Sequence, residues 1–107
     1  YIRQRDKNIC FTCRKYIEGS GYHAGHFITQ AVSSLPLRFS ELNTHGQCFR
    51  CNLHLSGNWP AYYERMVADY GQDVVNDLLS QRHKVVKWTP QDYEVMIEVY
   101  KVKLEAL

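Results

Sequence analysis

The chain has 107 residues, 45% of them hydrophobic, and a formal net charge of +2. That length suits one domain with a modest core that is marginal without extra support. No apolar run is long enough to span a bilayer, and the opening YIRQRDKN is too charged for a signal peptide. The first residue is Tyr1, so the reading is of a single domain over 1–107 that is a piece of a longer chain. Charge is unevenly spread: residues 1–54 hold seven Lys/Arg and three Asp/Glu, whereas residues 55–107 hold six and eight. The basic half also holds all four cysteines, which suits a phosphate backbone partner.

In chain order, residues 10–58 are rich in Gly, Ser, Asn and His and read as strands and loops. Tyr22 to Ile28 is a strand candidate, with Tyr22, Ala24, His26 and Ile28 on one face and His23, Gly25 and Phe27 on the other. Thr44 to Cys48 is a weaker strand candidate, and a helix is expected to begin near Cys51 or Asn52. Residues 59–107 read as helices. Trp59, Tyr62, Tyr63, Met66, Val67 and Tyr70 recur at helical spacing, with Pro60 in the first turn and Gly71 past the end. A second helix from about Gln72 to Gln81 aligns Val74, Val75, Leu78 and Leu79. Thr89 then caps a third helix, with Pro90 and Asp92 in its first turn. Its stripe is Tyr93, Ile97, Tyr100, Leu104 and Leu107, read first as core, with an interface as the alternative.

The cysteines form two pairs, Cys10-Phe-Thr-Cys13 and Cys48-Phe-Arg-Cys51, separated by 34 residues. Two C-x-x-C knuckles turn four sulfurs toward one point and predict a tetrahedral structural zinc site. Disulfides are the rival, but nothing marks the chain as secreted. Four thiolates leave no open position for water, so this zinc is expected to be structural rather than catalytic.

The order of the remaining residues resembles the zinc-containing HNH nucleases. A histidine, His26, lies on the first strand, Asn43 lies five residues before the second C-x-x-C, and Asn52 directly follows it. The phage resolvase endonuclease VII type likewise carries an Asn directly after its second C-x-x-C. This resemblance implies an α+β fold: a zinc-bound HNH-like ββα-metal core over 10–58, followed by a C-terminal helical region over 59–107. It implies His26 as general base, Asn43 as a loop-fixing residue and Asn52 as a ligand of a catalytic divalent cation, Mg²⁺ or Mn²⁺. The strings IRQRD, CFTC, AGHFI, LRF, ELN, QCFRCN and SGN, with a Tyr-rich helix ending in YG, look like the phage NinG (Rap) recombination family. That resemblance implies a structure-specific endonuclease cutting branched DNA such as Holliday junctions and D-loops. It also implies phage or host recombination proteins as partners, the bacterial host cytoplasm as location, and no membrane. Symmetric junction cutting would favour a homodimer.

The chemistry is that of a charged ester. A divalent cation neutralises the phosphodiester and stabilises its leaving oxygen. A histidine, ordinarily of pKa about 6.5, is largely neutral at pH 7 and can take a proton from water. One position departs from the pattern: many HNH sites carry Asp or His immediately before the base, and here that residue is Gly25. His23 shares its strand face and is the best substitute ligand, though it lies roughly 6–7 Å further along an extended strand. Glu18, Glu41 and Asn58 are weaker candidates. His45 and His54 read as solvent-facing or phosphate-touching rather than metal-binding, and His83 as structural. Arg14, Lys15, Arg38 and Arg50 are candidate phosphate contacts. Ser56-Gly57-Asn58 is expected to end the short helix and cap the next. The competing reading is a non-catalytic, zinc-stabilised module that binds DNA or a recombinase.

Overall fold

The computed structural model describes residues 1–29, 37, 39–82 and 88–107. The expectations for Arg38 and His83 lie outside the described residues. In order come α1 (Ile2–Arg5), β1 (Tyr22–His26), β2 (Thr44–Cys48), a π-helical turn (Arg50–His54), α2 (Trp59–Tyr70), α3 (Gln72–Ser80) and α4 (Pro90–Glu105). The fold is mixed α and β.

β1 and β2 pair antiparallel, with Tyr22 opposite Cys48 and His26 opposite Thr44. Paired residues share a face, so the ribbon has two distinct sides. One side carries Tyr22, Ala24, His26, Thr44, Gly46 and Cys48; the other carries His23, Gly25, Gly25's partner His45, and Gln47. α1 is fastened to β2 through Arg5, whose guanidinium donates to the Glu41 and Thr44 carbonyls at 3.0 and 2.8 Å. Asp6 accepts the Gly46 N–H at 2.7 Å.

The strand expected to reach Ile28 stops at His26. Beyond it the buried Asn43 side chain claims the backbone. Its Oδ1 accepts from Ile28 N–H at 2.9 Å, and its Nδ2 donates to the Ile28 and Leu37 carbonyls at 3.1 and 3.0 Å. These contacts bend the chain away from the ladder.

α2 lies over the Gln47 side of the ribbon. Trp59 donates from Nε1 to the Phe27 carbonyl and stacks on the Phe27 ring. The core joins Phe11, Phe27, Ile28, Leu37, Tyr62, Met66, Val75 and Leu78. α2 and α3 thus bury their expected stripes, and Gly71 between them has φ of 93°, a left-handed conformation that favours glycine.

α4 differs from expectation. Thr89 and Asp92 form a full capping box, but α4 has no buried residue. Ile97 and Leu107 of the expected core stripe are 52% and 60% exposed. The helix touches the remainder at its aromatics and one cation. Tyr93 meets Phe39 and Trp88, Tyr100 donates to the Phe39 carbonyl and packs on Tyr1, and Lys103 pairs with Glu41.

Candidate functional site

The first knuckle is a small loop closed by an Ile9–Tyr16 bridge and by Cys10 N–H donating to the Lys15 carbonyl at 2.9 Å. Phe11 N–H donates to the Gly46 carbonyl at 2.8 Å, which docks the loop against β2. The second knuckle starts on the last residue of β2 and enters the π-helical turn. The 34 intervening residues are therefore spent on the hairpin, which returns the chain to its starting point.

All four cysteines are free thiols, and their sulfurs lie within 4.8 Å of one another. The Cys13 and Cys48 sulfurs are 3.8 Å apart. A tetrahedron of thiolates about 2.3 Å from zinc has edges of roughly 3.8 Å. Backbone amides aim at the sulfurs: Cys13 N–H at Cys10 (3.5 Å) and Cys51 N–H at Cys48 (3.4 Å). Burial alone would raise the Cys10 thiol, but the Thr12 hydroxyl and neighbouring backbone bring it down to about 6. Burial and the Cys10 sulfur push Cys13 up to about 12. Four such sulfurs cannot all ionise together without a cation among them. The cluster could hold a metal ion such as zinc, and it is the one His/Cys/Asp/Glu group of three or more among the described residues able to do so.

The π-helical turn occupies Arg50–His54, where a helix starting near Cys51 or Asn52 was expected. It is five residues long and not α-helical. Ser56, Gly57 and Asn58, all at positive φ, then reverse the chain into α2. Asn58 precedes α2 but does not cap it through its side chain. Its Nδ2 points instead to the Cys51 sulfur at 3.7 Å.

His26 is half-buried on the α1-facing side of β1. It lines an open cleft of about 510 Å³ with Tyr1, Ile2, Ala24, Phe39 and Tyr100 among its walls. Asn52 is half-buried in the π-helical turn and does not line that cleft among the described residues. The turn leads onto the opposite side of the ribbon, since Gly57 accepts from Gln47 Nε2 at 2.9 Å. Strand alternation sets His26 and Gln47 on different sides of the hairpin, and Asn52 lies in the turn beyond β2. Among the described residues β1 pairs only with β2, so its outer edge is a place that both sides overlook.

Gly25 leaves its space to Gln47. A Cβ at Gly25 would collide with Gln47 Oε1 and lie 2.7 Å from its Cδ. Gln47 is fully buried, and the sequence reading passed over it. Its only signal there was its place two residues along from the partner of the side-chain-free Gly25. His23 sits directly opposite Gln47, its ring 5.9 Å from that of Phe49.

His45 departs from the solvent-facing expectation. It is 2% exposed, stacked on Phe11 at 4.0 Å, with Nδ1 3.1 Å from the Tyr62 hydroxyl and Nε2 2.8 Å from that of Tyr70. Burial first, and then the charge of Arg5, push its pKa down to about 4. Both ring nitrogens are taken by hydroxyls, so it is a core residue. His54 is exposed and packs on Phe49. Glu41 is engaged by Lys103, whose hydrogen bond lowers its pKa, and Glu18 is exposed. Lys15 and Arg50 flank the cysteine cluster along one shallow groove with Phe49. Arg14 is turned to Asp69 at 3.3 Å and lies over the Phe11 ring.

The sequence model of the family described as Bacteriophage Lambda NinG protein matches residues 1–107. The chain belongs to the NinG family. It is 34% identical to Protein ninG of Escherichia phage lambda over 108 aligned positions, covering all of this chain and 52% of that protein. The same figures hold for Protein ninG of Salmonella phage P22. Protein ninG of Enterobacteria phage H19B is 34% identical over 92 positions, 86% of this chain and 45% of that one. The chain thus spans about half the length of the curated relatives it matches. No solved structure matches it. Among the described residues no helix is long and apolar enough to cross a membrane.

Proposed function

We propose that this NinG-family chain is a metal-dependent, structure-specific DNA endonuclease that hydrolyses phosphodiesters in branched recombination intermediates such as Holliday junctions and D-loops. The observation that carries the reading is the cysteine cluster closing a two-stranded hairpin, with Asn52 fixed one residue past the last cysteine and His26 on the facing strand. Zinc in the cluster is structural in this reading, and Cys10, Cys13, Cys48 and Cys51 hold it. Asn52 and a group near Gly25 would hold the second cation, Mg²⁺ or Mn²⁺. When bound, that cation supplies charge neutralisation at the scissile phosphate.

The chain's own residues do the rest. His26 accepts the proton of the attacking water across the open edge of β1. Asn43 keeps the loop after β1 in place, so that the His26 backbone is held. Lys15 and Arg50 meet the phosphate backbone beside the cluster, with Arg14 joining if it releases Asp69. Branched DNA, recombination proteins, a homodimer and the host cytoplasm belong to this same proposal.

One observation favours the second reading, a zinc-stabilised module that binds DNA or a recombinase without cutting. His26 faces an apolar, aromatic cleft on the side of the ribbon away from Gln47. The readings separate in one experiment. Zinc-loaded protein is incubated with a synthetic four-way junction and Mg²⁺ or Mn²⁺, and both binding and cutting are followed. The nuclease reading expects cutting that Asn52→Ala abolishes without releasing zinc. Binding with no cutting under either ion establishes the module instead.

A further inference from the structure

We propose that the Gln47 side-chain oxygen and the His23 imidazole together hold a divalent cation on the α2-facing side of the hairpin, next to the Gln47 amide that fills the space a side chain at position 25 would take. The proposal deepens the nuclease reading and rests on it for the cation's purpose.

Two atoms carry it. His23 Nε2 and Gln47 Oε1 are buried without a hydrogen-bond partner. Such atoms are rare in folded proteins, and an unplaced ion is one of the standard reasons for them. These two belong to side chains directly opposite each other on one face of the ribbon, where Cβ atoms stand about 5 Å apart. The two orphaned atoms thus belong to neighbours on one face, which is the ground for assigning them a shared ion.

The orientation of Gln47 is fixed by its other end. Nε2 donates to the Gly57 carbonyl at 2.9 Å and to Thr12 Oγ1 at 3.3 Å. Exchanging the amide's nitrogen and oxygen would set two oxygens against each other at Gly57. Oε1 is thereby held over Gly25, and only a residue without a Cβ admits it there. Gly57 also ties in the residue after the second knuckle, because its N–H donates to the Asn52 carbonyl at 3.0 Å. One residue thus links the Gln47 amide to the Asn52 backbone. The missing carboxylate and the buried glutamine are two halves of one arrangement.

The donor set also fixes the kind of ion. An imidazole nitrogen and an amide oxygen, with no carboxylate, suit a cation that accepts nitrogen, such as Mn²⁺, Co²⁺ or Ni²⁺. Mg²⁺ and Ca²⁺ favour carboxylate and water oxygens.

The test is Mn²⁺ binding by the zinc-loaded chain without DNA, read from the electron paramagnetic resonance signal of free Mn²⁺. Wild type should bind one Mn²⁺, and Mg²⁺ should compete at least tenfold more weakly. His23→Ala and Gln47→Ala should each weaken binding at least tenfold while keeping zinc and the wild-type circular dichroism. Because Gln47 is buried, its loss could unsettle the fold. The double substitution Gly25→Asp with Gln47→Ala places a carboxylate in the vacated space and should restore binding. Absence of Mn²⁺ binding by wild type, or unchanged affinity in zinc-loaded His23→Ala and Gln47→Ala, overturns the proposal. Mn²⁺ bound as described but no junction cut removes the nuclease reading alone. Cutting whose Mn²⁺ affinity ignores these residues removes this inference alone.

Discussion

Asn43 makes three hydrogen bonds from a fully buried side chain. Asn43→Ala should therefore leave one N–H and two carbonyls unsatisfied, at a cost of roughly 2–4 kcal/mol, read as a lower denaturant midpoint. Asn43→Asp should be worse, since a carboxylate would face both carbonyls. His45 gives a pH signature. Its folded pKa of about 4 lies below the ordinary histidine value, so the unfolded chain takes up a proton first as pH falls. Stability is full above about 6.5 and declines down to about 4, by on the order of 3 kcal/mol. His45→Gln should lose that part of the pH dependence, whereas the part due to thiolate protonation should remain. Among single residues, Asn43 was singled out by the resemblance to the HNH nucleases, and its side chain bonds the Ile28 and Leu37 backbone. Gln47 and His45 were not legible, because burial of a polar strand residue depends on what packs across it, and α2 is remote in sequence.

The knuckles and the hairpin act as one element. Phe11 bonds to β2 through its N–H and joins the core cluster through its ring, so the cluster's integrity reaches α2. Stripping zinc with a strong chelator should unfold more than the loops. Circular dichroism should show loss of α2 and α3 together with the hairpin, since zinc supplies on the order of 10 kcal/mol in comparable small sites. α4 should behave differently. Thr89→Ala removes its capping box at a cost of about 1 kcal/mol to that helix. With no buried residue on α4, amide exchange there should quicken while the global unfolding midpoint barely moves. The helices were legible from period and caps, because both are local. The π-helical turn was not: its length is set by where Cys48 and Cys51 must aim their sulfurs and by the left-handed Ser56–Asn58 reversal.

At the scale of the molecule, the gathering of the four cysteines could be read from spacing alone, since paired knuckles permit few alternatives. The exposure of α4's apolar stripe could not, because periodicity reports an amphipathic face without naming what covers it. The sidedness of the hairpin matters most for function. Register follows from the strands, and it sets His26 toward α1 and Gln47 toward α2. The account requires the open edge of β1 to unite both sides around one phosphate. The direct measurement is single-turnover cutting of a four-way junction by zinc-loaded wild type and His26→Ala, with Mn²⁺ and protein in excess. Loss of a general base should slow cutting by about 10²–10⁴-fold, with junction affinity and zinc content unchanged. Equal rates for the two proteins would contradict the account, as would a wild type that grips the junction and never breaks a strand.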